Sequence, residues 1–427
     1  MLDINFIREH SDIVKKSITD RRANIDLDQL LKLDGERREL IAKVDALRAK
    51  RNGAARKKDY ETGKKIKGKL GDLEKKLNNV VKRWDELMLK VPNILLPGVP
   101  IGNDDKNGQG PCFGNKIIKK AGELPKFSFK PKDHIELGEL LNIIDFERGV
   151  KVGGFRGYFL KNEGAKLHWA VLNFALDNLI QKGFTPVIPP VINRRYALTG
   201  GGQFPWGEED TYKVGDEDFL VGTAEIPLMA MHSGETFDIK DLPKKYVGIS
   251  PCFRTEIGSY GKDTKGLYRV HEFYKVEQVI LCEADEGKSL EFFKELQNNS
   301  EDLLQKLDLS YQVLILSSTD CGKKAAMTYD IETWMPGRGN FGETHSNSVV
   351  LDFQTRRLKI KYSDKQGLSS SKVKNKGVKY CHALNNTAIA SPRILIALLE
   401  NFQQKDGSVK IPEVLQKYTG FSEIKPK

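Results

Sequence analysis

The sequence predicts an α+β protein: a long antiparallel α-helical hairpin, a coiled coil, followed by one large domain whose antiparallel sheet is flanked by helices. Three observations predict it. Two heptad runs follow one another near the start of the chain, a Pro/Gly-rich stretch breaks helix near residue 100, and beyond it strand-like and helical runs alternate without the regular βαβ order of a parallel sheet.

The hairpin is read from spacing. Leu30, Leu33, Leu40, Val44 and Leu47 keep an a/d repeat in which Arg37 takes one apolar slot. Ile66, Leu70, Leu73, Leu77, Val80, Trp84 and Leu87 continue it at alternating steps of 4 and 3. Asn52-Gly53 and Thr62-Gly63 between the runs place turn material around a reversal near residues 57–62. About 30 residues per helix, at about 1.5 Å each, make an arm roughly 45 Å long. Three prolines and two glycines from Val91 to Gly102 then stop the second helix, so the domains are expected to span 1–100 and 101–427.

Charge separates the same two parts. The chain has 69 Lys+Arg against 58 Asp+Glu, a net +11; the first 100 residues hold 24 basic and 16 acidic side chains, or +8, leaving +3 for the other 327. Between Arg48 and Lys69 stand ten basic residues (Arg48, Lys50, Arg51, Arg56, Lys57, Lys58, Lys64, Lys65, Lys67, Lys69) and only two acidic ones. A hairpin that narrow cannot bury them, so the far end of the arm offers a cationic surface to a polyanion.

In the body, 161–183 reads as an amphipathic helix ended by Gly183, with Phe184 to Ile192 following as an extended, Pro-punctuated strand. Tyr246 to Arg254 and Tyr268 to Leu281 read as strands joined by a glycine-bearing loop, Val349 to Tyr362 as a further strand, and Ser391 to Gln403 as a helix. The composition, 39% hydrophobic and 30% charged, excludes a disordered chain. No apolar run approaches membrane-spanning length and Met1 to His10 lack the features of a secretory signal, so a cytoplasmic protein without membrane attachment is expected. The five cysteines, Cys112, Cys252, Cys282, Cys321 and Cys381, are widely spaced with no CxxC pair; reduced thiols fit better than a disulfide framework or a cysteine zinc site.

Three patches carry chemistry. Phe253-Arg254-Thr255-Glu256 closes a strand, a basic Gly-rich loop follows, and Val270-His271-Glu272-Phe273 leads back to Glu277. A guanidinium that forks onto phosphate oxygens beside a closely approaching loop suits a polyphosphate, and the GxxxxGK[ST] pattern of a P-loop is missing. Thr223-Ala224-Glu225 sets a hydroxyl and a carboxylate at a strand end. Asn385-Asn-Thr387 precedes Ser391-Pro392-Arg393, where Ser391 as N-cap and Pro392 at the first helical position start the helix. The helix dipole disfavours Arg393 in that first turn unless an anion lies nearby.

Over essentially its whole length the chain resembles the bacterial-type seryl-tRNA synthetases, a family of class II aminoacyl-tRNA synthetases. The resemblance rests on the Met-Leu-Asp-Ile start, the basic arm, Gln203-Phe-Pro205, the Thr223–Glu225 triplet, the 253–277 stretch as motif 2, Asp352-Phe-Gln-Thr-Arg-Arg357, and 384–393 as motif 3, with Gly183 to Pro190 similar to the motif 1 of the homodimer interface. It implies a serine–tRNA ligase that converts L-serine and ATP to seryl-adenylate and passes serine to tRNA(Ser), with selenocysteine tRNA as a further acceptor left open. By the same resemblance, Arg254, Glu256 and Arg393 are catalytic; Thr223, Ala224, Glu225, Arg254, Glu277, Asn385 and Thr387 bind serine. Arg254, Thr255, Glu256, Val270, Phe273, Glu343, Thr344, His345, Ser346 and Arg393 bind ATP, with Glu343 and Ser346 on its Mg²⁺. Arg48, Arg51, Arg56, Lys57, Lys58, Lys64 and Lys65 meet the long variable arm of the tRNA.

One segment departs from the family pattern: Glu343-Thr344-His345-Ser346 stands where Glu-Ile-Ser-Ser or Glu-Val-Ser-Ser is usual, preceded by Gly342 in place of a common Arg. The expectation is that Thr344 and His345 alter nucleotide affinity or metal coordination without abolishing activity. His345 as an extra metal ligand competes with His345 as a hydrogen-bonding residue, and no ligand set for the catalytic zinc of the family's other branch is legible. Two further readings are a class II paralogue that loads a carrier other than tRNA, against which the basic arm speaks, and a catalytically silent RNA-binding homologue, against which the joint presence of Arg254, Glu256, Glu277 and Arg393 speaks.

Overall fold

The computed structural model describes residues 1–102, 114–257, 265–363 and 377–427. Residues 258–264 of the motif 2 loop and Cys112 lie outside the described residues. The chain divides into two compact units, Met1–Ile94 and Leu95–Lys427; sequence puts the division at residue 100.

The first unit holds two short helices, α1 (Ile4–Glu9) and α2 (Ser11–Asp20), and two long antiparallel ones, α3 (Leu27–Arg56) and α4 (Tyr60–Lys90). Asp26 and Asp59 cap the long helices, accepting from the backbone N–H of Gln29 and Thr62 at 2.9 and 3.0 Å. The reversal at 57–59 is where spacing places it, but Asn52-Gly53 and Thr62-Gly63 are helical: Lys58, at φ 57, makes the turn, so the glycines are not needed there. Leu33, Leu40 and Val80 are buried in the seam with Leu73, Leu77, Trp84 and Leu87 packed against them. Arg37, the polar intruder, lays its guanidinium 4.4 Å over the Trp84 ring and donates to Asp34 at 3.0 Å, so the heptad slot is filled by a stacked cation.

The second unit is built on eight strands: β1 (Lys116–Ala121), β2 (Thr185–Val187), β3 (Lys244–Phe253), β4 (Glu272–Cys282), β5 (Tyr311–Ile315), β6 (Met327–Met335), β7 (Asn340–Leu351) and β8 (His382–Ser391). They form one sheet in the order β1-β5-β6-β7-β8-β4-β3-β2, antiparallel throughout except for the edge pair β2–β3, which is parallel. Helices α5 (Asn162–Gln181) and α6 (Glu286–Lys306) pack on it, burying Val171, Ala175, Leu296 and Leu303 against Val276, Ile280, Leu384 and Ile389. Polar ties sit inside that layer: Asn299 donates to Gln278 at 2.8 Å and Ser300 to Asn386 at 2.7 Å, so side chains one step out of phase with Glu277 and Thr387 point to the helices.

Three expected elements differ. Phe184 to Ile192 is not one strand: β2 ends at Val187, and Ile192–Arg194 pairs instead with Asp218–Leu220, because Pro189-Pro190 cannot donate to a continuous ladder. Val349 to Tyr362 is not a strand: β7 ends at Leu351 in the left-handed region (φ 55), a helix α7 follows (Phe353–Leu358), and only Lys361–Ser363 is extended again. Its apolar residues resemble a buried strand, yet Arg356 pairs back to Asp352 at 2.7 Å across one helical turn. The helix expected from Ser391, α8 (Arg393–Asn401), begins one residue late; Pro392 is its N-cap, and the Ser391 hydroxyl lies 2.8 Å from His168 Nδ1 instead of capping it.

Candidate active site

The face of the sheet opposite α5 and α6 carries the chemistry. Register sets it: Glu277 on β4 pairs with Thr387 on β8, and the Thr387 hydroxyl donates to Glu277 Oε2 at 3.2 Å. Lys275, two residues before Glu277 and so on the same face, brings its ammonium 2.7 Å from that oxygen. Burial pushes the Glu277 carboxyl up from its ordinary range, while Lys275 pulls the other way.

Thr223 and Glu225 stand at the opening of a short helix, Glu225–Ala230, and the Thr223 hydroxyl accepts from the Glu225 backbone N–H at 3.2 Å. Glu225 Oε1 accepts from Lys324 Nζ at 2.5 Å, Gln354 Nε2 at 2.6 Å and Asn385 Nδ2 at 3.1 Å. At the end of β3, Arg254 holds its guanidinium 5.4 Å from the Phe273 ring and donates to the Gly222 carbonyl at 3.3 Å. Glu256, at φ 56, lies 3.1 Å from Arg269 and 3.7 Å from Arg156, so two cations orient the carboxylate that follows the strand end.

Arg393 opens α8 as expected. It stacks over the Tyr268 ring at 4.5 Å, donates to the carbonyls of Tyr268 and Glu343 at 3.1 Å each, and lies 3.4 Å from the Glu343 carboxylate. Those partners offset the unfavourable dipole and hold the guanidinium over the site.

These groups line one cavity of about 340 Å³. It brings together Thr223, Glu225, Arg254, Glu256, Val270, Phe273, Glu277, Glu343, Thr344, His345, Ser346, Asn385, Thr387 and Arg393. Ala224 and Thr255 are not among its lining residues. Ala224 is fully buried, with its methyl against Gly248, where an added Cβ would come within 2.9 Å of it; the Thr255 hydroxyl is turned to Asp210 at 3.0 Å. The basic residues singled out on the arm, Arg48 to Lys65, are all exposed, and Arg48 reaches across the hairpin to Glu74 at 2.8 Å.

Sequence reading missed Lys275, Lys324 and Gln354. Lys275 carried a signal, its i,i+2 relation to Glu277; Gln354 stood in a segment taken for a strand; Lys324, in the Cys321-Gly-Lys-Lys324 loop, carried none.

His345 is buried, its Nδ1 2.7 Å from the Thr344 hydroxyl, and burial pushes its imidazole down to about 3. Thr344 is tied in turn to Thr333 at 2.7 Å, so the Thr-His pair knits β7 to β6. Nearby, Glu343 and Ser346 offer hard oxygen donors, and Asp330 on β6 pairs with Ser346 in register. Asp330 Oδ1 is buried without a hydrogen-bond partner, and burial with the neighbouring Glu343 charge drives this carboxyl well above its ordinary range. These oxygens are the hard donors a divalent cation of the Mg²⁺ type takes, but among the described residues no group of three or more His, Cys, Asp or Glu side chains is placed to hold a metal ion.

Comparison with known proteins assigns the class first. Residues 211–402 match the family model of the tRNA synthetase class II core domain (G, H, P, S and T), so the unit that carries the cavity is a class II synthetase domain. Residues 1–95 match the seryl-tRNA synthetase N-terminal domain. A serine–tRNA ligase of Deinococcus radiodurans is 42% identical to this chain, covering 99% of each. The seryl-tRNA synthetase of Pyrococcus horikoshii, solved in complex with ATP, superposes at a TM-score of 0.89 with 40% identity over 100% of both chains. The cytoplasmic serine–tRNA ligase of Naegleria fowleri, solved with AMP, superposes at 0.85 with 33% identity over 100% of this chain and 99% of its own. The chain belongs to the seryl-tRNA synthetase family. Among the described residues no helix is long and apolar enough to cross a membrane, and Cys252, Cys282, Cys321 and Cys381 are buried thiols.

Proposed function

We propose that this chain is a serine–tRNA ligase whose single cavity activates L-serine with ATP and whose basic arm docks tRNA(Ser) through its long variable arm. The observation that carries the reading is the convergence of Arg254, Glu256, Phe273, Glu277, Thr387 and Arg393, from three separate stretches of sequence, on that cavity. A serine carboxylate oxygen attacks the α-phosphorus of ATP and pyrophosphate leaves. Arg254 neutralises the α-phosphate and Arg393 the γ-phosphate; Glu256 takes the adenine amino group and Phe273 the adenine ring. Catalysis is then positioning plus charge stabilisation, after which the seryl group passes to the tRNA 3′ end. Glu343 and Ser346 would hold Mg²⁺, which supplies further neutralisation of phosphate charge when bound.

In the amino-acid subsite Glu225, with Thr223, receives the α-ammonium, and Glu277, Thr387 and Asn385 read the hydroxyl. Alanine is rejected because it leaves Glu277, which is 1% exposed, and Thr387 short of a partner, whereas threonine must be excluded by shape. The arm's lysines and arginines suit backbone contacts, since A-form RNA shows side chains few readable base edges. A homodimer formed around 183–190 is supported by a surface on which Ile188 is 85% exposed and Ile192 56%. A cytoplasmic setting agrees with buried, reduced thiols.

The experiment is pyrophosphate exchange into ATP with each of the twenty amino acids, then charging of serine tRNA with and without its long variable arm. Exchange with serine alone and charging that needs the long arm are expected. Exchange without charging supports a carrier-loading paralogue, and no exchange with any amino acid a silent RNA-binding homologue.

A further inference from the structure

A buried carboxylate at the far end of α8 stands outside the cavity and yet ties to its wall. Glu400, fully buried on the same helix as Arg393, accepts from the His134 backbone N–H and lies against His134 Nδ1, both through Oε1 at 2.9 Å. Its other oxygen accepts from the Gly337 N–H at 2.8 Å, in the turn between β6 and β7. His134 opens the short helix His134–Leu140 and is itself buried. Its remaining ring nitrogen, Nε2, accepts from the Leu267 backbone N–H at 3.1 Å. These partners fix the tautomer: a nitrogen that accepts from an N–H carries no proton, so the ring proton sits on Nδ1 and is donated to Glu400. Gly266, at φ 77, permits the close approach, since an added Cβ there would collide with His134 Nε2.

The residue after Leu267 is Tyr268, which holds Arg393. Arg393 donates to the Tyr268 carbonyl at 3.1 Å and lays its guanidinium 4.5 Å over the ring, while Arg338, next to Gly337, lies 4.1 Å over the same ring. Glu400 therefore reaches Tyr268 by three routes: along α8 to Arg393, through His134 to Leu267, and through Gly337 to Arg338. Leu267 and Tyr268 are among the residues that line the cavity, whereas His134 and Glu400 are not.

We propose that His134, held by Glu400, is a positioning residue of the nucleotide site: its unprotonated Nε2 pins the Leu267 N–H and so sets the Tyr268 carbonyl and ring that aim Arg393 at the terminal phosphate of ATP. This rests on the reading of Arg393 as a phosphate-binding residue. Leu267 is fully buried, so without its acceptor that N–H has no water to turn to and the peptide shifts to find a partner, taking the Tyr268 carbonyl with it. A guanidinium on a long side chain is placed only as well as the acceptors that hold it. His134 touches no reacting atom, and its effect falls on ATP and not on the serine subsite.

The test compares two amides in the full-length protein. His134→Gln carries a carbonyl oxygen to the place of Nε2 and accepts from Leu267. His134→Asn reaches only the place of Nδ1; it keeps a donor for Glu400 and leaves the Leu267 N–H without its acceptor. By calorimetric titration His134→Asn is expected to bind ATP about 5-fold more weakly than the parent and His134→Gln within about 2-fold of it, while the KM for serine in pyrophosphate exchange stays within about 2-fold in both. Equal weakening of ATP in the two variants, weakening in neither, or a serine KM that rises in step overturns the proposal, because a residue that only fills space or supports the fold gives those patterns. In an Arg393→Ala background His134→Asn is expected to weaken ATP no further, and an additive loss overturns the route through Arg393. If the asparagine variant does not fold, nitrogen-15 spectra of the histidine-labelled parent decide: a proton on His134 Nδ1 with a bare Nε2 is expected, and a protonated Nε2 overturns the proposal. Arg393→Ala alone scores the reading of Arg393: if it binds ATP as tightly as the parent, that reading fails, while the difference between the two amides and the nitrogen-15 signature still judge His134.

Discussion

At the far end of the hairpin, Lys57 and Lys58 stand exposed in the turn and Lys64 and Lys65 on α4, whereas in the catalytic unit Lys275 and Lys324 lie against Glu277 and Glu225 at 2.7 and 2.5 Å. The same residue type does two kinds of work. On the arm each charge is solvated, nearly independent of its neighbours and screened by salt, so the cluster acts by summed field on a polyanion. In the cavity Glu277 and Glu225 are nearly out of water and act through a few close partners, so geometry and complete pairing decide the outcome. Losing one arm lysine weakens a sum; losing one cavity group leaves a buried charge short of a partner.

That contrast can be broken, and the largest effect is expected in the cavity. Arg254→Ala should lower serine-dependent pyrophosphate exchange by about 10³-fold, since a preorganised donor to developing charge is removed. Glu277→Gln should lower serine kcat/KM by roughly 10²-fold while ATP binding, measured by equilibrium titration, holds. If either variant altered charging and exchange by different factors, the cavity would not be the common site of activation.

On the arm, replacing Lys57, Lys58, Lys64 and Lys65 together by Ala should raise the tRNA KM about 10-fold and make its logarithmic salt dependence shallower by about 3, with exchange unchanged. A collapse of exchange would mean that the two units are not functionally separate. Leu40→Ala opens the seam where that side chain is 3% exposed and should cost about 3 kcal/mol of hairpin stability, read by urea titration of helical signal.

Acid should separate the units further. Burial pushes His168 down to about 4 from an ordinary 6.5, so the unfolded chain takes up that proton first as pH falls. The contribution is complete above about pH 6.5, declines between 6.5 and 4, and levels off below, for a total of roughly 3 kcal/mol. Urea midpoints at pH 7 and pH 5 should differ in the parent and differ less in His168→Gln, the buried His345 keeping part of the slope. The smallest change is expected of His345→Ser, a few-fold shift in ATP KM or in its Mg²⁺ dependence; unchanged values for both would leave the Thr344-His345 pair without a role in the nucleotide site.

Much of this was legible because period and punctuation are local. The heptads of α3 and α4 follow from residues three and four apart, and the cationic cluster is a count along the chain. The motif stretches at 223–225, 253–277 and 384–393 carry just over half of the cavity's lining residues, and Gln203 with residues from 316–330 and 343–348 supply the rest. What failed did so where two locally similar patterns compete. The apolar residues of 349–362 suit a buried strand as well as a strand, a helical turn and a second short strand, and only the left-handed Leu351 and the Asp352–Arg356 pairing select the latter.

By itself the sequence determined the hairpin, its exposed charge, the antiparallel body and the identity of most groups in the cavity, because each depends on the spacing or chemistry of near neighbours. Tertiary structure alone decided who pairs with whom. Lys324 lies 99 residues from Glu225, and Gln354 lies 129 from it. A buried ion pair is specified by the shape that brings its two ends together, and no pattern along the chain encodes that meeting.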